Sequence, residues 1–188
     1  MPFMLFPHIQ SPGVELQPVS AADGEKVYEL LIQYGAGGLP TLEAFRRNNA
    51  GGAMAQFLVH GRAEERTVGV ATLRDFNPAG HIKADIRVST AHGPETTALV
   101  LNYAFAMWNL RKVYVHATEA DHEAAGLADP LISPLLRREA LLPRHVFARG
   151  RHWNLSVYSV YRDAWEKHAP DILDALVPTP DKEADDHA

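Results

Sequence analysis

From Glu95 to Trp108 the chain passes through Ala98, Leu99, Val100, Leu101, Tyr103, Ala104, Phe105, Met107 and Trp108, leaving almost no polar face. This stretch restricts the fold more than any other. A helix that is apolar nearly all round must be covered on most sides, and a sheet packed against it supplies that cover. With 188 residues the chain has room for one globular domain, or one domain with tails. No stretch approaches the roughly 18 apolar residues needed to cross a membrane. The apolar start from Met1 to His8 lacks a basic segment and is broken by Pro2 and Pro7, so it does not read as a signal peptide. The expectation is a cytoplasmic protein with no membrane association.

The segments around the helix supply the sheet. Val14 to Val19 alternates apolar and polar residues as a half-buried strand does. Ser20-Ala-Ala-Asp23 opens a helix carrying Val27, Leu30, Leu31 and Tyr34 at helical spacing, stopped at Gly35, and a second helix is expected from Thr41 to Asn49. Three strands follow, Gln56 to His60, Thr67 to Leu73 and His81 to Val88, and their short connections predict an antiparallel meander. After the long helix, Lys112 to Ala117 reads as a strand and Leu135 to Ala140 as one or two helical turns. A hairpin of Arg144 to Phe147 with Trp153 to Tyr161 follows, its turn including Arg149, and then a last helix over Arg162 to Leu176, interrupted by Pro170. The predicted class is α/β of the α+β type, with a mixed, mostly antiparallel six- to seven-stranded sheet and helices on both faces. Residues 1–13 form an N-terminal arm, 14–176 the domain, and 177–188 an acidic tail expected to be disordered.

Composition removes several chemistries. With no cysteine there is no disulfide scaffold, iron–sulfur ligation or thiol nucleophile. The net charge of −5 is concentrated at the end, since Asp181 to Ala188 carries a net −3, leaving a nearly neutral body. Nucleic-acid binding needs clustered Lys and Arg and is not expected. His122 and Glu123 are adjacent, with no second histidine at ligand spacing, so no metal is expected. There is no Gly-x-Ser-x-Gly nucleophile elbow.

The element order resembles the GNAT superfamily of acyl-CoA-dependent N-acyltransferases, and the residues agree best in the second half. Tyr103-Ala-Phe105 near the helix end, running through Arg111 and Lys112 into the next strand, resembles the branch of ribosomal-protein N-terminal acetyltransferases. Glu139 to Phe147, Gly150, Trp153-Asn154 and Arg162-Asp-Ala-Trp165 resemble that branch's ending. The likeness spans roughly Val14 to Trp165. It implies acetyl-CoA as donor and a primary amine, of a small molecule or a peptide N-terminus, as acceptor.

In that family an Arg/Gln-x-x-Gly-x-Gly/Ala loop between the third meander strand and the long helix receives the cofactor's pyrophosphate on backbone amides. The resemblance carries that role to Val88, Ser89, Ala91, His92, Gly93, Glu95 and Thr96. Here the loop is several residues short, and neither counting back from Tyr103 nor counting on from the strand supplies the Arg or Gln. A GNAT-like binding or regulatory module, or an enzyme using another acyl thioester, are therefore the alternative readings.

Three residues are candidates for chemistry. Asp85, in Ala84-Asp-Ile86, answers an acid on the same strand in the family; by strand alternation it shares a face with Lys83 and Arg87, while Ile82, Ala84, Ile86 and Val88 face the other way. It is either the base or a surface aspartate balanced by its neighbours. His116 lies beside the expected acceptor cleft and is either a relay base or a structural histidine. Asp121 stands where the family often has an Asn, in the polar cluster Glu119, Asp121, His122 and Glu123, which either grips a cationic acceptor or solvates a loop. Trp108, Trp153, Tyr158, Tyr161 and Trp165 line an acceptor pocket or fill the core and a homodimer surface.

Overall fold

The computed structural model describes residues 7–48, 53–148 and 150–176. The expected arm start, the end of the second helix at Asn49, turn residue Arg149 and the acidic tail lie outside them.

Seven strands form one sheet: β1 (Val14–Pro18), β2 (Ala53–Gly61), β3 (Arg66–Asn77), β4 (His81–Val88), β5 (Lys112–Ala117), β6 (Arg137–Ala148) and β7 (Arg151–Tyr161). Their order is β1-β2-β3-β4-β5-β7-β6, and every neighbouring pair is antiparallel except β4 and β5. The helices are α1 (Gly24–Gln33), α2 (Leu42–Asn48), α3 (Gly93–Met107), α4 (Glu119–Ala124) and α5 (Arg162–Leu176). Strands β1 to β5 and the helices α1, α2 and α3 follow the sequence expectation closely, whereas α5 runs unbroken through Pro170, where an interruption is expected, because Trp165, Ala169 and Ile172 on either side of it are buried. None of the helices described is long and apolar enough to cross a membrane.

The apolar helix is covered as its composition demands. Leu99, Leu101 and Phe105 of α3 are buried in one cluster with Ile82, Ala84 and Val88 of β4 and with Trp165 and Ile172 of α5. On the opposite face Val27 and Leu30 of α1 meet Leu58 and Val70, with Phe45 of α2 against them. The Arg162-Asp-Ala-Trp165 run has a structural account. Arg162 donates to the carbonyls of Phe105, Trp108 and Leu110, satisfying orphan groups at the end of α3, and Trp165 is fully buried against Phe105.

Two further local expectations are corrected. Beyond a single 3-10 turn over Ser133–Leu135, the segment to Ala140 is not helical, because Arg137 to Leu142 pairs with β7 instead. The strand expected at Arg144 to Phe147 is thus the far end of a longer β6. The polar cluster after β5 is a helix rather than a loop, because Thr118 and Asp121 form a reciprocal capping box.

The β6 placement creates a cross-sheet ion pair. Lys112 Nζ donates to both carboxylate oxygens of Glu139 at 2.9 and 3.0 Å, and the hydroxyls of Ser159 and Tyr161 add two more donors. The Lys112 bond is the main cause that holds Glu139 down at a pKa of about 2, against an ordinary value of 4.5. A carboxylate whose folded pKa is depressed contributes its full stability above the unfolded value and loses it as pH falls through the folded one. The stability gap between wild type and Glu139→Gln is therefore expected to be constant above pH 4.5 and to close as pH falls towards 2. Solvent screening limits its size to about 1 kcal/mol. Urea denaturation across that range checks it, and a gap independent of pH would show that the pair contributes nothing.

Candidate active site

β4 and β5 pair only over His81 to Ala84 and Lys112 to Val115, although β4 continues to Val88 and β5 to Ala117. Beyond Ala84 the two parallel strands part, which leaves the β4 edge from Asp85 to Val88 without a strand on its β5 side. Strand alternation then decides what faces where: Ile82, Ala84, Ile86 and Val88 are buried towards α3, while Lys83, Asp85 and Arg87 line a cavity of about 450 Å³ on the α1/α2 face. His116 lines the same cavity from β5, as do Thr72 and Arg74 from β3. Leu31, Leu39, Phe45, Val146 and Leu155 form apolar walls. A groove of about 290 Å³ runs from Ile86, Arg87, Val88 and Ser89 to Ala120, Asp121 and Ala124 of α4, meeting the cavity at Arg87.

The charged floor is a chain of ion pairs. Asp85 is held between Arg74 at 2.8 Å and Arg87 at 3.4 Å, and Arg87 also reaches across the groove to Asp121. Asp121 further accepts from the backbone N–H and hydroxyl of Thr118. Both carboxylates nominated for chemistry are thus engaged by cations or caps. His116 differs: among the described residues neither of its ring nitrogens is hydrogen-bonded, and Tyr114 contacts it edge-on. Burial, reinforced by the nearby Lys83 charge, pushes its pKa below the ordinary 6.5, so the imidazole is neutral at pH 7. Burial likewise lowers Lys83, against the opposing pull of Asp85.

The residues nominated for the cofactor fall into two groups. Val88 and Ser89 border the groove. Ala91 and His92 lie in a 3-10 turn over Thr90–His92 that replaces a wider loop. Within it the amides of Ser89, His92 and Gly93 donate to the carbonyls of Val68, Ser89 and Thr90, so they are engaged inside the chain. His92 bridges Ser89 and Glu64. Glu95 accepts from the Ser11 hydroxyl and from the Gly13 amide at 3.1 Å, which ties the arm to α3. Thr96 is fully buried. Of the nominated residues, Val88 and Ser89 thus border an open groove, while the amides of Ser89, His92 and Gly93 are already engaged.

Of the aromatic candidates none lines the cavity; Trp165 belongs to the core, and Trp153 donates to the Ala148 carbonyl within the β6–β7 hairpin. Lys83 and Arg87 flank Asp85 as strand alternation predicts, but Arg74, which binds Asp85 at 2.8 Å, was not among the expected site residues. Period-2 alternation on β3, which puts Arg74 on the face of Val70 and Thr72, was the available signal.

A seven-stranded sheet with one parallel pair that splays, flanked by helices on both faces, is the fold of the GNAT acyltransferases. No family model matches the sequence, and no curated protein does. Solved structures match in fold: a GCN5-related N-acetyltransferase from Brucella melitensis has a TM-score of 0.67 at 18% identity, covering 90% of this chain and 85% of that one. The spermidine/spermine N-acetyltransferase SpeG from Vibrio cholerae has a TM-score of 0.66 at 16% identity, covering 82% and 97%. A probable GNAT-family acetyltransferase from Chromobacterium violaceum has a TM-score of 0.60 at 19% identity, covering 84% and 87%. These neighbours lend no support to the ribosomal-protein branch in particular.

Proposed function

We propose that the protein transfers an acetyl group from acetyl-CoA to a primary amine. The observation that carries this is the parting of β4 and β5 beyond Ala84 and Val115, with a cavity for an acceptor and a groove for a thioester meeting at Arg87. SpeG, a neighbour in fold, has been crystallised with CoA and spermine.

Acetyl-CoA would supply an activated acyl group on a thiolate leaving group. The chain's own residues do the rest. Val88, Ser89 and Ala124 border the path of the thioester arm. The β4 edge from Asp85 to Val88 offers backbone N–H groups to the developing oxyanion. His116, neutral and without a hydrogen bond among the described residues, takes the proton of the attacking amine. Asp85 and Asp121, engaged by Arg74, Arg87 and Thr118, position that floor rather than accept protons, which moves the base from Asp85 to His116.

A second reading, a binding or regulatory module of this fold, is favoured by the engaged amides of Ser89, His92 and Gly93 and by the Arg87–Asp121 pair across the groove. Thermal denaturation with acetyl-CoA tests the premise of the first. A ligand selective for the folded state stabilises it by about 2.7 kcal/mol at a hundred times its Kd, so Tm is expected to rise with acetyl-CoA concentration. An unchanged Tm at saturating acetyl-CoA rejects acetyl transfer, and release of CoA with any amine rejects the module.

A further inference from the structure

We infer that the acceptor is a small amine that also carries an anionic group, a carboxylate or a phosphate, anchored by Lys83 with Arg74 on the cavity floor; this rests on the acetyl-transfer reading above. Of the titratable side chains of described residues that line the cavity, Arg74, Lys83 and Arg87 are cations and Asp85 is the sole acid, with His116 neutral. Asp85 is already shared by the two arginines, and Arg87 also engages Asp121. That leaves Lys83, whose ammonium has neither a hydrogen bond nor an ion pair among the described residues, although it is half-buried. Asp75 lies outside the lining and acts on Lys83 less than Asp85 does. Arg74 Nε is a second donor, buried and without an acceptor among the described residues.

A partly desolvated cation without a counter-charge is unfavourable, and an anion delivered by a ligand offsets that cost through charge-assisted hydrogen bonds. The apolar walls suit a short hydrocarbon spacer between that anion and an amine directed at His116. A polyamine would instead place a further ammonium among three cations, a like-charge arrangement that selects against it.

Equilibrium binding of γ-aminobutyrate, phosphoethanolamine and putrescine, measured calorimetrically without acetyl-CoA, tests the anion site. At least one anionic amine is expected to bind and putrescine to bind more weakly; the stronger of the two anionic probes distinguishes carboxylate from phosphate. Lys83→Met is expected to weaken the anionic probe by about tenfold or more, and Lys83→Arg to restore most of the loss. Preference for putrescine, absence of binding by both anionic amines, or binding indifferent to Lys83→Met overturns the inference. Anionic amines that bind but release no CoA when acetyl-CoA is added would reject acetyl transfer while leaving the anion site established.

Discussion

His116→Gln is expected to lower kcat/KM by about a hundredfold while leaving the folded structure and acetyl-CoA binding intact. The size follows from the usual worth of a positioned general base, about 10²–10⁴-fold. The choice of residue follows from what each cavity group is already doing. Asp85 has guanidinium groups on both oxygens, whereas neither nitrogen of His116 is hydrogen-bonded among the described residues. Its protonation sets the pH profile. Because burial lowers its pKa from 6.5, the neutral, active form persists to lower pH than a free histidine would allow, and the acidic limb of kcat/KM is expected to fall below pH 6.5. That limb should vanish in His116→Gln. Asp85→Asn serves as the contrast: a positioning role predicts a smaller loss with the limb retained. If Asp85→Asn removed the limb and His116→Gln kept it, the base would be Asp85.

Much of this arrangement was legible in the sequence because it depends on local periodicity. The apolar run from Ala98 to Trp108 demands a covering sheet, and the alternation of His81 to Val88 alone puts Lys83, Asp85 and Arg87 on one face. The Thr118-x-x-Asp121 spacing was a capping-box signature whose meaning lay open in the residues, although the cluster reads equally well as a solvated loop. Other features depend on partners remote in sequence. Leu135 to Ala140 is rich in Leu, Arg, Glu and Ala, residues of high helix propensity, and only the pairing of Arg137 to Leu142 with β7 overrides that preference. Glu95 sits where a helix-start acid could face a diphosphate, yet Ser11 and Gly13, more than 80 residues earlier, take its carboxylate. The acceptor cavity is similar in kind: Arg74 of β3 meets Asp85 of β4 through strand register, which no single stretch of sequence discloses.

The closed turn before α3 makes an opposite forecast to helix propensity. Gly93 is the first residue of α3 and has ordinary right-handed helical dihedrals, so propensity alone predicts that Gly93→Ala stabilises the protein by about 1 kcal/mol. A Cβ there would lie 2.4 Å from the Ala124 carbonyl oxygen, 2.6 Å from the Gly126 nitrogen and 2.8 Å from the Ala125 carbonyl carbon, all of them backbone atoms that no rotamer change can move aside. Overpacking of that kind outweighs propensity, and Gly93→Ala is expected to destabilise by about 3 kcal/mol in urea denaturation. The contact is mutual, since a Cβ on Gly126, whose φ is +65°, would lie 2.3 Å from the Pro94 nitrogen. Once either substitution has pushed the two segments apart, the second meets less resistance, so the double variant should lose less than the sum of the singles. The displaced segment is the end of α4, whose Asp121 holds Arg87 across the groove, and the acetyl-CoA-dependent rise in Tm should shrink with it. A gain in stability for Gly93→Ala would mean that α3 and the turn after α4 do not touch.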